Sequence, residues 1–291
     1  TKDQIKTRLS QSTRLPSLRS INLALEELMN SEISDAAEIG DLIQRDPTMT
    51  ARILKLVNSV SFGINYKVKT VHEAVIFLGM RHVRQVALLT PVIDEFQNLP
   101  LGRDFSWRNF WKHCLSVGLL TQEVLTEKHS ELVDKGYISG LMHDLGKIAM
   151  AHVFPEHFSG VYNGSFFKEP SDLIRQEEAI IGANHSEIGA IYAETQNLES
   201  CFIDAMRFHH EPANAQKDPY LASAVQIADG ITHQLGIGAS GVDWEISNND
   251  CTMLDGWEIL FPDLNNEQRE AHLQKLIKHA GHLNEIVDNL V

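Results

Sequence analysis

Apolar residues along this chain recur every three to four positions, the period of an α-helix with one buried face. Ile21, Leu25 and Leu28 follow the Leu15-Pro16 dipeptide at that spacing, and Met49, Ile53, Leu56 and Val57 repeat it. Helix-start chemistry accompanies the pattern: Asp35-Ala36-Ala37-Glu38 and Thr70-Val71-His72-Glu73 read as capping boxes, and Asp46-Pro47 as an N-cap followed by proline at the first helical position. Asn58-Ser59 and Leu78-Gly79 read as helix ends, and Val83, Val86 and Ala87 open the next helix. Pattern and caps predict a run of short helices over residues 1–99. A polar break at 98–104 (Asn98, Leu99, Pro100, Gly102, Asp104) separates it from a second helical part, 106–235.

In that second part Phe110, His113, Val117 and Leu120 share a stripe, and a buried helix is expected from about Tyr137 through Ala149. A looser stretch follows around Asn163-Gly164 and Lys168-Glu169-Pro170. Helical spacing resumes at Ile174, at Ile188 and Ile191, at Phe202, Ala205 and Met206, and at Leu221, Val225 and Ala228. Residues 236–256 read as loop or a short helix, and Leu273, Leu276, Ile277, Ala280, Leu283 and Ile286 predict an amphipathic closing helix within a C-terminal part, 236–291. No strand-like alternation of any length is present. The expected fold is all-α.

Composition changes this picture little. The 291 residues, 43% hydrophobic and 22% charged, suit a soluble globular chain. A net charge of −14 argues against general affinity for nucleic acid or anionic membrane. No apolar run reaches the roughly 20 residues that span a bilayer, and no secretory leader is visible. Cys114, Cys201 and Cys251 lie far apart without a Cys-x-x-Cys, which points to neither a disulfide framework nor a cysteine zinc site, and a cytoplasmic setting is expected. The first residue, Thr1, suggests a trimmed start with an upstream domain missing.

The chemistry concentrates in Leu141-Met142-His143-Asp144-Leu145-Gly146-Lys147, where three ionisable side chains sit on an apolar run. Burying unpaired charge costs several kcal/mol, so partners are expected. His113, His185, His209-His210 and Asp229 supply them, each in a helical pattern or at a helix end. Imidazoles and carboxylates together suit divalent Fe, Mn or Zn, and an aspartate can bridge two such ions. Lys147, one turn from Asp144, could reach a phosphate oxygen. On a helix His209 and His210 diverge by about 100°, so both serve one centre only near a helix end, which Glu211-Pro212 makes plausible. Arg175 and Arg207 are further candidates to meet phosphate, although exposed arginine is the commoner reading. His129, His152, His157, His233, His272, His279 and His282 carry no such pattern and are read as structural.

The order H…HD…H…HH…D resembles the HD superfamily of metal-dependent phosphohydrolases. Leu15-Pro16-Ser17-Leu18, Asp46-Pro47, Arg52–Ser59 and Ala74–Gly79, continued by Trp111-Lys112-His113, Asn184–Ala190 and Phe208-His209-His210, resemble the HDOD family within it. The resemblance implies an HD-domain-like helical bundle with an N-terminal helical subdomain. It also implies a metal site of His113, His143, Asp144 and Asp229, and a second of His185, His209 and His210 with Asp144 bridging. One or two divalent ions would be bound, Fe or Mn ahead of Zn or Mg. HDOD proteins are usually regarded as bacterial signalling modules without catalysis, which implies a protein partner. The complete ligand set keeps a second function open, hydrolysis of a nucleotide or phosphate ester with Asp144 and Lys147 as catalytic residues. A third is a metal that only stabilises the fold. The Gly-Tyr-Pro segment expected after His210 in the cyclic-di-GMP-hydrolysing branch is missing, which disfavours that substrate.

Overall fold

The computed structural model describes residues 2–12, 105–162, 170–238 and 246–290, and, between 13 and 104, positions 50, 51, 53, 54, 57, 58, 67–77, 79 and 83. Every regular element among them is helical. They are α1 (Lys2–Gln11), α2 (Trp107–Thr126), α3 (Val133–Met142), α4 (Leu145–Val153), α5 (Pro155–Tyr162), α6 (Pro170–Ile181), α7 (His185–Thr195), α8 (Ser200–Phe208), α9 (Pro219–Gln234), α10 (Asn248–Thr252), α11 (Gly256–Leu260) and α12 (Asn266–Leu290). Single 3₁₀ turns occupy Ser130–Leu132 and Pro212–Asn214. None of the described helices is long and apolar enough to cross a membrane.

The chain forms two compact units, one of Thr1–Leu15 with Pro100–Asn284 and the other of Pro16–Leu99 with Glu285–Val291. In the second unit Ile53 and Val57 are fully buried. Thr70 Oγ1 accepts from the Glu73 amide at 3.2 Å, as the capping reading requires, but the Glu73 carboxylate takes the Lys69 amide at 3.0 Å. Asn58 does more than end a helix. Its side-chain amide donates to the Leu54 and Val68 carbonyls, and its oxygen accepts from the Val68 amide at 2.7 Å. The expectations at 15–49, at 86–87, at the 98–104 break and at 163–169 lie outside the described residues.

The first unit is built around α2. Ser106 caps it by accepting from the Asn109 amide, and the predicted stripe of Phe110, His113, Val117 and Leu120 is buried. Most of the other faces are buried too, because α3 and α9 pack against it. The α2–α3 crossing runs through glycines: a Cβ on Gly140 would lie 2.7 Å from the Gly118 Cα. Close backbones there bring His113 beside the C-terminal end of α3.

The buried helix expected from Tyr137 to Ala149 is in fact two helices. α3 stops at Met142, His143 and Asp144 form the turn, and α4 starts at Leu145, with Asp144 at φ −99°, ψ 5°. Apolar periodicity did not reveal the break because the core surrounds both helices: Leu141, Met142, Leu145 and Ile148 are all buried. A break at this point releases His143 and Asp144 from the angular divergence a continuous helix would impose.

α9 is positioned from its start. Asp218 caps it by accepting from the Leu221 amide, and Pro219 occupies the first turn. The buried Asp204 on α8 gathers the Gln216, Lys217 and Asp218 amides at 2.9, 2.7 and 3.3 Å. That clamp holds α9 against α8 and so fixes where Asp229 falls. Of the C-terminal part, the stretch expected to be loop or short helix contains α10. In α12 Leu273, Leu276, Ala280 and Leu283 form the buried stripe.

Candidate metal centre

The seven positions predicted from sequence come together. His113 projects from α2, His143 and Asp144 from the α3–α4 turn, and His185 from the start of α7. His209 and His210 follow the end of α8, and Asp229 lies in α9. His113, His143, Asp144, His185, His209 and Asp229 are each at most 7% exposed. His209 is the residue after the last helical one, so the expected helix end lets both imidazoles of the pair face one centre. The pair stays close, with ring centroids 4.0 Å apart.

Hydrogen bonds on the outer side of the rings set their tautomers. His143 Nδ1 lies 2.6 Å from the Gly140 carbonyl and His209 Nδ1 lies 2.7 Å from that of Met206. A carbonyl can only accept, so each Nδ1 carries a proton, and in the neutral ring each Nε2 presents a lone pair. His185 Nδ1 lies 2.7 Å from the Glu177 carboxylate, which also accepts from the His185 amide at 2.9 Å. Glu177 is itself fully buried and accepts from the Tyr162 hydroxyl. A carboxylate behind a histidine in this way orients the ring and raises its basicity as a ligand.

The inward Nε2 atoms face other acceptors. His143 Nε2 is 3.5 Å from Asp144 Oδ2, His185 Nε2 is 3.5 Å from Asp144 Oδ1, and His185 Nε2 is 2.9 Å from His210 Nε2. His113 Nε2 and Asp229 Oδ1 stand 3.0 Å apart without the alignment of a hydrogen bond, and His209 Nε2 is buried with no hydrogen-bond partner among the described residues. Lone pairs converging on carboxylates repel unless a cation lies between them. Three sets place their donor atoms within 4.8 Å of one another: His185, His209 and His210; His113, His143 and Asp144; and His113, Asp229 and His233. The residues therefore fit divalent metal, and the mixed N/O set suits Fe, Mn or Zn.

Protonation agrees with a ligand role for the distal histidines. Burial pushes the His210 and His233 pKa down to about 3 and that of His209 well below the usual range. Burial alone would raise Asp144, but Lys147 and then His143 outweigh it and hold the carboxyl far below its ordinary value. Asp229 is lowered against the same cost of burial, first by His233 and then by His113. Burial disfavours charge on His143 also, yet Asp144 and Asp229 raise its pKa.

A stability profile follows for metal-free protein. Unfolded histidine takes up a proton near pH 6.5, whereas His209, His210 and His233 stay neutral in the fold until far lower pH. Lowering the pH from about 6.5 toward 3 therefore loads protons on the unfolded chain and destabilises the fold, while the raised His143 acts only above about 6.5, where the fold takes its proton first. Melting in chelator at pH 6.5, 5.5 and 4.5 should show a falling Tm, and a flat profile would contradict these burial effects.

Lys147 is buried with Nζ 2.6 Å from Asp144 Oδ2. The two arginines considered for phosphate are engaged elsewhere. Arg175 pairs with Asp172 on an exposed face, and Arg207 with Glu187 at 3.2 Å and Glu194 at 2.8 Å. Sequence reading missed two residues. His233, set aside as structural, lies one turn after Asp229 with Nε2 3.4 Å from Asp229 Oδ1, and that spacing was the available signal. Glu177 lies in α6, eight positions before His185 and in another helix, and nothing local marks it.

Fold and site together define an all-α protein with a buried histidine–aspartate cluster whose donor atoms could hold a metal ion. The chain belongs to the HDOD family, whose domain matches residues 15–212. Two solved structures share the fold over nearly their whole length. An HDOD domain protein of unknown function from Geobacter sulfurreducens has a TM-score of 0.79 at 20% identity, covering 99% of both chains. A candidate phosphohydrolase from Shewanella amazonensis SB2B has a TM-score of 0.70 at 22% identity, covering 99% of this chain and 98% of that one. An uncharacterized protein of Treponema pallidum is 25% identical over 206 residues, which are 70% of this chain; the match spans only 39% of the relative's length.

Replacing Glu177 by glutamine should weaken metal binding at the His185, His209 and His210 set by about 10–100-fold. The amide keeps the shape but loses the charge behind His185. Calorimetric titration with Mn²⁺ checks this, and unchanged affinity would remove Glu177 from the centre.

Proposed function

We propose that this chain is a bacterial HDOD signalling protein, acting in the cytoplasm through contacts with a protein partner, whose centre holds one or two divalent ions. His113, His143, Asp144 and Asp229 would hold one, and His185, His209 and His210 the other, with Asp144 between them. The observation that carries the regulatory reading over the enzymatic one is the Asp144–Lys147 pair, closed at 2.6 Å with both side chains buried. A lysine held by the aspartate is spent on neutralising the centre and is poorly placed to grip a phosphate. Arg175 and Arg207, already engaged with carboxylates, add no phosphate site.

Hydrolysis of a nucleotide or phosphate ester is the second reading, favoured by the complete ligand set. A bound metal would supply a Lewis acid and activated water. In that case Asp144 would orient the ligands and Lys147 would balance phosphate charge. Missing the Gly-Tyr-Pro segment after His210, the chain is a poor candidate for cyclic-di-GMP.

A screen of phosphomonoesters, nucleotides and cyclic dinucleotides with Mn²⁺ or Fe²⁺ should give no turnover that depends on Asp144. Elemental analysis of protein purified without chelator should find bound metal. Robust hydrolysis lost in Asp144→Asn would overturn the regulatory reading in favour of the enzyme.

A further inference from the structure

His233 extends the centre beyond the ligand set read from sequence. It sits on α9 one helical turn after Asp229, so both side chains leave the same face. Its side chain is 6% exposed, and its ring centroid is 4.7 Å from that of His113 on α2. Asp229 Oδ1 stands between the two imidazoles, 3.0 Å from His113 Nε2 and 3.4 Å from His233 Nε2. Adjacent donors on one ion, at bond lengths of about 2.0–2.2 Å, are separated by about 3–3.5 Å. These spacings fall in that range. The alternatives for His113 and Asp229 are looser: His113 Nε2 is 3.7 Å from Asp144 Oδ2, and Asp229 Oδ1 is 3.7 Å from His143 Nε2.

An imidazole nitrogen has one lone pair and serves one ion at a time. His113 Nε2 cannot ligate both a metal on Asp144 and a metal on His233. The geometry points to a third divalent-cation position formed by His113, Asp229 and His233, on the α2–α9 side of the centre. His113 then passes from the first ion proposed above to this one, leaving His143 and Asp144 on the neighbouring ion, and His185, His209 and His210 hold the one beyond. Two imidazoles and one carboxylate select a first-row transition ion such as Mn²⁺, Fe²⁺ or Zn²⁺ over Mg²⁺ or Ca²⁺, which prefer all-oxygen shells. His233 lies beyond the stretch that matches the family, residues 15–212, and outside the ligand set that the resemblance implies.

The inference rests on the metal reading proposed above, and one experiment separates their fates. The full chain is stripped with chelator, reloaded with Mn²⁺, and studied by anomalous diffraction at the manganese edge together with elemental stoichiometry. Three anomalous peaks are expected, one within bonding distance of His233 Nε2, with close to three equivalents at saturation. His233→Gln should lose one equivalent and keep the other two. His233→Asp, which retains a donor, should recover the third. Peaks at His143–Asp144 and at His185–His209–His210 with none at His233 would overturn the third position and leave the proposed centre standing. No peak at all would overturn both. If His233→Gln fails to fold, as judged by circular dichroism, the wild-type map alone decides.

Discussion

Asp144→Ala is expected to abolish divalent-metal binding at the positions beside His143 and His185 and to destabilise the metal-free protein by about 3–5 kcal/mol, the range for breaking a buried ion pair from one side. Asp144 is 1% exposed and faces Lys147 at 2.6 Å, His143 and His185 at 3.5 Å and His113 at 3.7 Å. Its carboxylate faces histidines from α2, the α3–α4 turn and α7. Its removal strands the Lys147 ammonium in the core, where burial already works against the charge and Asp144 is the main force holding it. The lysine would then relax by giving up its proton. The double variant Asp144→Ala, Lys147→Met should recover most of the lost stability, because no buried charge is left alone, while metal binding beside His143 and His185 stays absent. Denaturant melts paired with Mn²⁺ titration separate the two effects. A double variant as unstable as the single one would show that the pair is not the source of the cost.

Gly146→Ala is expected to be nearly as damaging, although it adds one methyl group. A Cβ at Gly146 would fall 1.8 Å from the His185 carbonyl oxygen and 2.8 Å from the Gly189 amide nitrogen. Those are backbone atoms and cannot rotate away, so α4 and α7 must separate. A cost of about 3 kcal/mol is expected, the upper end of ordinary overpacking. The same separation would pull His185 from Asp144. Metal affinity at the His185, His209 and His210 set should therefore fall by more than at the α2–α9 side. A variant with wild-type Tm and wild-type titration would show that the α4–α7 contact is softer than its geometry.

The glycine also shows where sequence reading runs out. Gly146 is legible as part of a motif, but a lone glycine on an apolar helix does not disclose which backbone needs its missing side chain. His185 lies 39 positions later, and only the packed helices place its carbonyl there. Glu177 is similar: its role arises because α6 and the start of α7 fold so that one carboxylate reaches both the ring and the amide of His185. His233 was closer to being legible. Its one-turn spacing from Asp229 is visible in the sequence, but choosing it from seven unpatterned histidines required knowing that this face of α9 meets His113.

Other features were settled by local chemistry. Helical periodicity determined that the described chain is all-α, because a 3.6-residue apolar repeat can bury its stripe only as a helix. Thr70 marked a helix start and Ser106 the opening of the second helical part, each with a side-chain oxygen that accepts its own first-turn amide. The pairing of Glu211 with Pro212 marked the helix end that lets His209 and His210 share a centre. The break between α3 and α4 was not local. Both halves are apolar and could continue as one helix, and the turn at His143-Asp144 gains its advantage only from groups on α2, α7 and α9. The ligand types and their order thus came from the sequence, since ionisable residues on apolar helices need partners. Which donor faces which, and that His233 stands among them, came from tertiary packing, since lone-pair geometry depends on helices distant along the chain.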